Sequence, residues 1–530
     1  MVDRQEAGWR EVLVGLVATI DADDDPVART ELVIAAVKGV RLVPDLAPTA
    51  PRPCWPDDGS DAVTDGPTVA VIGGGIGGLC LAQGLRGAGV PVTVYERDRD
   101  PADRWEGYRI HVDPAGARSL RACLPDHLWE AFLATSAPGG PFGFVTEQLE
   151  ELVEVEEDIG YPAAADPAEG HYAVDRRTLR RLLLAGLDDV VHLGAEFVSY
   201  EMGDDAVTAH FADGRRVTAD LLVGADGVGS RVRRQFLPDA EPVPAGVVGF
   251  AGKVPLTEDV PAVLAHGMHV VADAGPGSLF TAAFRPPPGA RARLAEVTGR
   301  PAPPVDEPYL LTAFVTAPEH LPPDLDVHDA DDLAALADEL TRTWHPDLRR
   351  LLAAGDPASR GASVFLVAPP VPEWEPARVT LLGDAVHAVP ATGGLGGNAA
   401  LRDARRLTQV LADGPADPAG LLAAVGAYEA DLREHGTATI RDALAVRDQM
   451  LAGGVWRTRV ARAWFRLCAR STFLRRRTFA EESAVSRPRP WELAGADRQG
   501  IGGTTHGTTT TLPTAPFSTA SCAATMSSRA

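Results

Sequence analysis

Residues 68–98 constrain this chain more than any other stretch. Four apolar residues, Val69–Ile72, read as a strand buried on both faces, and Gly73-x-Gly75-x-x-Gly78 turns that strand into a helix rich in Ala and Leu. A second apolar run, 92–95, ends at Glu96. In this order each residue has a job: Gly73 makes the tight turn, Gly75 lets backbone approach a pyrophosphate, and Gly78 lets helix and strand pack closely. The helix N-terminus offers amides to phosphate, and Glu96 can accept a hydrogen bond from a ribose hydroxyl. Strand, turn, helix and terminal acid together specify a dinucleotide site, which a Gly-rich turn alone would not.

A chain of 530 residues is too long for one core and suggests about three domains or subdomains. The formal charge of −23 argues against nucleic acid as a partner, because a phosphate backbone needs a basic surface. Cys54, Cys80, Cys123, Cys468 and Cys522 are scattered and form no CxxC pair, so neither a disulfide framework nor a metal site is expected, and a reducing cytoplasm fits best. The apolar run 12–20 is too short to span a bilayer and follows acidic residues, so no secretion signal and no transmembrane helix are expected.

Residues 1–66 read as a partly helical extension ending in a Pro/Asp-rich connector. Beyond Glu96, Arg97 and Arg104 lie in a loop where an arginine could meet a cofactor phosphate. The alternation at 108–112 predicts a strand, and Asp113-Pro114 a turn into a helix over 117–123. Seven carboxylates within 147–158 read as a solvated face or a strand edge. A helix is expected over 175–184 and strands over 197–202, 206–211 and 215–223, with Asp213-Gly214 as a hairpin turn.

The last of these strands delivers a second chemical stretch, Gly224-Ala-Asp226-Gly227, at a strand's carboxyl end, where ligands of open α/β sheets bind. Ser230 and Arg231 could serve phosphate or ribose oxygens; the plainer reading is an Asp-Gly turn with a helix cap. From 241 to 375 short apolar runs between Pro/Gly clusters predict an antiparallel sheet, with an amphipathic helix at 329–352 and a returning strand at 364–368. A substrate chamber belongs at this boundary, with 246–254 and 309–315 as candidate lining.

A third stretch begins at Arg378: strand 379–382 ends at Gly383-Asp384, and the loop through Pro390, Gly393, Gly396 and Gly397 feeds a helix with Asn398 near its N-cap. Successive amides there can converge on an electron-rich ring edge. His387 reads as a structural histidine, since geometry must precede a catalytic role. Eight arginines and no acid fall between Asp448 and Glu481, with Trp456, Val460, Trp464 and Leu467 at helical spacing. Such a helix could touch an anionic membrane surface; packing of its apolar stripe on the acidic body of the protein is the preferred reading. Past Gly500 the Thr/Ser-rich tail reads as disordered.

The three stretches, in this order, resemble the GxGxxG, DG and GD motifs of the FAD-dependent monooxygenases of the p-hydroxybenzoate hydroxylase type, over residues 67–480. The resemblance implies an α/β fold: a Rossmann-type FAD-binding domain in two parts (67–240 and 376–485, the latter with C-terminal helices), an inserted, mainly antiparallel β-sheet substrate domain (241–375), and a tail (486–530). It implies one extended FAD, reduced transiently by NADPH or NADH, and a flavin C4a-hydroperoxide that passes one oxygen of O2 to an aromatic or polyketide-like small molecule. By the same resemblance Gly73, Gly75 and Gly78 cradle the pyrophosphate and Glu96 holds the ribose. Asp226 and Gly227 lie by the pyrophosphate, Asp384 beside Gly383 binds the ribityl chain, and Arg176 contacts FAD. Pro390 and the loop from Gly393 to Asn398 line the flavin ring. Ala391 stands where many relatives carry proline. Alternatives are a halogenase or prenyl-chain reductase of the same fold, or a ligand sensor whose residues 1–66 resemble a TetR-type remnant. A monomer or homodimer is expected.

Overall fold

The computed structural model describes residues 66–99, 108–160, 163–273, 275–300, 307–322, 330–354, 361–414, 417–451 and 454–479. The readings made for residues 1–65, for Arg104 and for the tail fall outside the described residues. Among the described residues no helix is long and apolar enough to cross a membrane.

The chain opens with β1 (Val69–Ile72), α1 (Ile76–Gly87) and β2 (Val92–Glu96), followed by β3 (Arg109–Val112), α2 (Pro114–Cys123) and α3 (Asp126–Thr135). Next come β4 (Ala137–Pro138), β5 (Phe142–Thr146), β6 (Glu151–Val155), α4 (Glu157–Gly160), β7 (Tyr172–Asp175) and α5 (Arg176–Leu184). Asp113 and Asp175 start α2 and α5 by accepting from the amides of Gly116 and Arg177, the capping that short polar side chains supply. Strands β8 (Val191–Leu193), β9 (Phe197–Met202), β10 (Val207–Phe211), β11 (Arg216–Ala219) and β12 (Leu221–Gly224) lead to α6 (Arg231–Phe236).

The stretch 215–223, expected as one strand, is two strands in different sheets. The chain breaks at Asp220 because its carboxylate accepts from both the amide and the hydroxyl of Thr68, at 2.8 and 2.7 Å. This ties β12 to the start of β1, so β12 runs parallel to β1 while β11 stays in the ribbon with β10.

The remaining elements are β13 (Val243–Pro255), β14 (Met268–Ala272), β15 (Gly277–Phe284), α7 (Ala290–Thr298), β16 (Tyr309–Thr316), α8 (Ala330–Leu340), α9 (Pro346–Ala354) and β17 (Gly361–Val367). They are followed by β18 (Val379–Leu381), α10 (Asp384–His387), α11 (Leu395–Ala412), α12 (Pro418–Leu451), α13 (Val455–Ala469) and α14 (Thr472–Phe479). The single helix expected over 329–352 is the pair α8 and α9. Pro346 cannot continue a helix and sits at a first helical position, while the His345 amide donates to the Glu147 carbonyl, 2.8 Å away.

Two sheets position the site. A parallel five-stranded sheet runs β18-β12-β1-β2-β8, with β1, β12 and β18 buried throughout, as expected of strands covered on both faces. A seven-stranded sheet runs β17-β13-β16-β15-β14-β5-β6, antiparallel except where β14 pairs with β5. The expectation that this second sheet is confined to 241–375 is therefore corrected: β5 and β6 join it from before β7, through a parallel pairing of residues about 126 positions apart, Met268 opposite Phe142.

The acidic run at 147–158 and the arginine-rich helices account for each other. Strand β6 is an edge, and Glu147, Glu150, Glu156 and Asp158 pair with Arg462, Arg466, Arg475 and Arg476 respectively. Beneath these pairs Trp464, Phe465 and Cys468 are buried against Phe144, Leu152 and Val153. The apolar stripe thus packs on the acidic body of the protein, as preferred from sequence. The Arg466 and Arg476 pairs are exposed and contribute little individually, whereas the Arg462–Glu147 pair is half-buried, so it and the apolar contact beneath carry the attachment.

Candidate active site

A cavity of about 1520 Å³ opens between the carboxyl ends of the parallel sheet and the inner face of the seven-stranded sheet. Ligand sites commonly occupy 300–1,000 Å³, roughly, so this one has room for more than one small molecule.

The glycine fingerprint enters it as the spacing required. Gly73 has φ +110°, and a Cβ there would lie 2.4 Å from the Ala225 carbonyl oxygen. At Gly78 a Cβ would lie 2.1 Å from the Gly73 carbonyl oxygen, so this glycine serves helix–strand contact and does not itself line the cavity. Gly75 has nothing within 4 Å of a Cβ position and faces the cavity. It is the N-cap of α1, which has no side-chain cap and no acid in its first turn, leaving amides for a ligand.

Glu96 is buried, and its Oε2 accepts from the Gly74 amide at 2.6 Å while Oε1 accepts from the Asp98 amide at 2.9 Å. The residue lines the cavity, with Arg97 beside it at the exposed rim. Arg180, which sequence reasoning missed, donates from Nε to the Gly74 carbonyl at 2.9 Å and lies 3.8 Å from Glu96, bracing the turn from behind. Its signal was weak: it is one of several arginines on α5.

Asp226 and Gly227 also line the cavity. The Asp226 carboxylate accepts from the Ser230 hydroxyl at 2.5 Å and the Arg231 amide at 2.8 Å. Burial pushes its pKa up, and those hydrogen bonds oppose the rise. Ser230 is fully buried as the N-cap of α6, the helix cap of the plainer reading, while Arg231 lines the cavity with its guanidinium donating to the Phe197 carbonyl and Glu196.

The third stretch closes the other side. Gly383, Asp384, Gly393, Gly396, Gly397 and Asn398 line the cavity, whereas Pro390 caps the short turn Ala391–Gly393 from outside the lining. Desolvation by the surrounding protein raises the Asp384 pKa, while the positive charges of His387 and Arg176 lower it; the Asp384 side chain is exposed, and it lines the same cavity as Arg176. Gly394 (φ +65°) is the N-cap of helix α11, which has no side-chain cap, and a Cβ at Gly397 would meet nothing within 4 Å. Asn398, expected near the N-cap, lies inside the first turn. Its Oδ1 accepts from the Asp113 amide at 3.2 Å and its Nδ2 donates to the His111 carbonyl at 3.1 Å, fixing the β3–α2 turn.

His387 is structural. Burial alone would lower its pKa, but the Asp403 carboxylate, 2.5 Å away, reverses the effect and raises it. Asp403 also accepts from the Gly383 amide at 3.0 Å and so holds the turn that carries Asp384.

Beyond the loop the lining becomes aromatic and aliphatic: Phe144, Phe280, Phe314, Phe365, Met450, Trp464 and Phe465 surround the chamber. The runs 246–254 and 309–315 contribute, as expected, through Phe250, Leu311 and Phe314. The contributions from β5 and α13 were not anticipated, because both arrive through distant pairings.

His111 and His171 add a polar spot, with ring nitrogens 3.1 Å apart. Burial lowers the His171 pKa from 6.5 to about 4, and burial, Arg109 and His171 hold His111 well below its ordinary value. Both rings are neutral in the fold at pH 7. As pH falls through 6.5 the unfolded chain takes up protons that these rings refuse, so stability present above 6.5 is lost toward 4. The loss should approach about 1.4 kcal/mol per pH unit for each ring. Denaturation midpoints at pH 7 and pH 5 should therefore converge in a His171→Gln protein relative to wild type; parallel profiles would contradict this assignment.

Two helix N-termini without side-chain caps, three loops with glycines open to the cavity, and an acid at the end of β2 fit an extended dinucleotide. The comparisons with known proteins agree. The family described as FAD binding domain matches residues 67–443. A dual O-methyltransferase/FAD-dependent monooxygenase, CTB3 of Cercospora beticola, is 31% identical over 402 residues, covering 71% of this chain and 45% of that protein. The chain thus spans less than half the length of that relative. The 3-amino-4-hydroxybenzoate 2-monooxygenase PtmB3 of Streptomyces platensis is 30% identical over 66% of this chain and 81% of its own. A crystal structure of a Photorhabdus luminescens protein assigned as an FAD-containing monooxygenase superposes with a TM-score of 0.63 at 30% identity, covering 73% of this chain and 100% of that one.

Proposed function

We propose that this chain, which belongs to the FAD binding domain family and takes FAD as its cofactor, is a monooxygenase that uses NADPH or NADH to insert one oxygen atom of O2 into an aromatic or polyketide-like small molecule. The observation that carries the reading is continuity: one cavity joins the three glycine-bearing loops to an aromatic chamber.

Bound FAD would supply the electron relay and the activation of O2; the residues supply everything else. The amides at Gly75 and the start of α1 hold the pyrophosphate, and Glu96 accepts from the ribose. Asp384 would hold the ribityl chain, with Arg176 lining the same cavity, and the amides of Gly396 and Gly397 at the α11 N-terminus would offer donors to negative charge on the flavin ring. Phe144, Phe280, Trp464 and Phe465 keep the reacting end dry, which limits loss of reducing power to hydrogen peroxide. The neutral rings of His111 and His171 give this part of the cavity wall a polar spot.

The test is a panel of phenolic and polyketide compounds scored for faster NAD(P)H oxidation and for a product carrying one atom of label from isotopic O2. A labelled product supports the reading. A protein that purifies without FAD and takes none up would sink it, as would turnover that proceeds unchanged without O2.

A further inference from the structure

We propose that Glu154, His266 and His269 form a binding site for one divalent transition-metal ion of the zinc class, on the face of the seven-stranded sheet opposite the chamber.

The site is written into strand register. His269 of β14 lies directly opposite Gly143 of β5, and Gly143 lies directly opposite Glu154 of β6. The three positions form one row across three strands and share a face, because directly paired residues do. Adjacent strands are about 4.8 Å apart, so the outer two positions are separated by roughly twice that, and ordinary side chains between them would keep them from meeting. The middle position has no side chain. A Cβ at Gly143 would lie 2.7 Å from His269 Cδ2 and 3.0 Å from its Nε2, so the imidazole occupies the gap that the glycine leaves. The neighbours Phe142 and Phe144 point the other way, into the cavity.

His266 completes the set from the turn that precedes β14. Its Nε2 is 2.8 Å from Glu154 Oε2, and its ring stands edge-on to that of His269, with centroids 5.7 Å apart and an interplanar angle of 87°. One ligand atom from each of the three residues lies within 4.8 Å of the others. Zinc–nitrogen bonds of about 2.0–2.1 Å in tetrahedral geometry put donors roughly 3.4 Å apart, so binding requires a modest closing of the set. Two of its members can move, since the side chains of His266 and Glu154 are 51% and 33% exposed. The third, His269, is 2% exposed and anchored, and its buried Nδ1 has no hydrogen-bond partner among the described residues.

Two imidazoles and a carboxylate favour zinc and its borderline neighbours over magnesium or calcium, which prefer all-oxygen sets. Three protein ligands leave a position for water. A bound ion would clip the edge strand β6 to the start of β14.

The test uses the full-length, FAD-loaded protein, stripped with a chelator and titrated with ZnCl2 against a chromophoric competitor. The expected result is a site of one equivalent whose affinity falls tenfold or more, roughly, in Glu154→Gln and in His266→Ala. Both residues are partly exposed, so these variants keep the fold, which unchanged flavin absorbance verifies. Gly143→Val is expected to abolish the same site. Binding that is absent from the wild type, or equally tight in Glu154→Gln and His266→Ala, would overturn the proposal, as would magnesium competing on equal terms.

Discussion

Gly75→Ala and Gly78→Ala proteins are expected to lose FAD for different reasons, and only the second is expected to lose stability as well. At Gly75 the backbone is extended (φ −77°, ψ −175°) and nothing lies within 4 Å of a new Cβ, so the apo-protein accepts alanine without strain. The methyl group projects instead into the cavity where the pyrophosphate must approach, and FAD affinity should fall by on the order of 100-fold, equivalent to about 2.7 kcal/mol. At Gly78 the new Cβ would sit 2.1 Å from the Gly73 carbonyl oxygen and 3.3 Å from Ala225 Cβ. Backbone has to move, because neither neighbour is the far end of a flexible side chain. A cost of about 1–3 kcal/mol is expected from overpacking alone, and the displaced turn should leave the protein colourless. Chemical denaturation of both apo-proteins, beside titration with FAD, separates the two roles. Equal stability of the two variants would contradict the division of labour between these glycines.

Phe465→Ala is expected to damage both the fold and the coupling of the reaction. The ring is 6% exposed and stacks on Phe144 at a centroid distance of 4.2 Å and an interplanar angle of 18°, with Phe479 6.1 Å away. Truncating such a side chain typically costs about 3–5 kcal/mol, depending on how far the surroundings collapse. Because Phe465 also lines the cavity, its loss opens the chamber beside the reacting end. Product formed per NAD(P)H consumed should fall, with the difference recovered as hydrogen peroxide. Unchanged denaturation midpoint and unchanged product ratio would together refute the role assigned to α13.

Most of the cofactor end of the site was legible in sequence because it is locally encoded. A strand, its following turn and the helix after it lie within a dozen residues, so the glycine spacing at 73–78, the Asp-Gly at 226–227 and the Gly-Asp at 383–384 carry their geometry with them. The chamber was not legible to the same degree. Its sheet gains β5 through a pairing with β14 across more than a hundred residues, and its far wall comes from α13, so neither local periodicity nor turn chemistry points there. The break at Asp220 depends on Thr68, and Arg180 acts on Gly74, both long-range contacts. Pro346 is the exception: the end of one helix and the start of the next were written locally there, and the amphipathic pattern on either side hid them. Glu154, His266 and His269 illustrate the general difficulty, since nothing in their spacing suggests a cluster until the strand register lines them up across a glycine.

Translation delivers the dinucleotide turn early, its Asp384 counterpart about three hundred residues later, and the wall carrying Trp464 and Phe465 after both. A nascent chain that has released β1 through β12 presents the Gly75 turn with no α11 opposite it, so half of the cradle is missing and FAD has one end to grip. Once α11 emerges the cradle is whole, yet the chamber still stands open to water on the side that α13 covers. On the proposed function, the wall carried by α13 is therefore the last part of the chamber to be made.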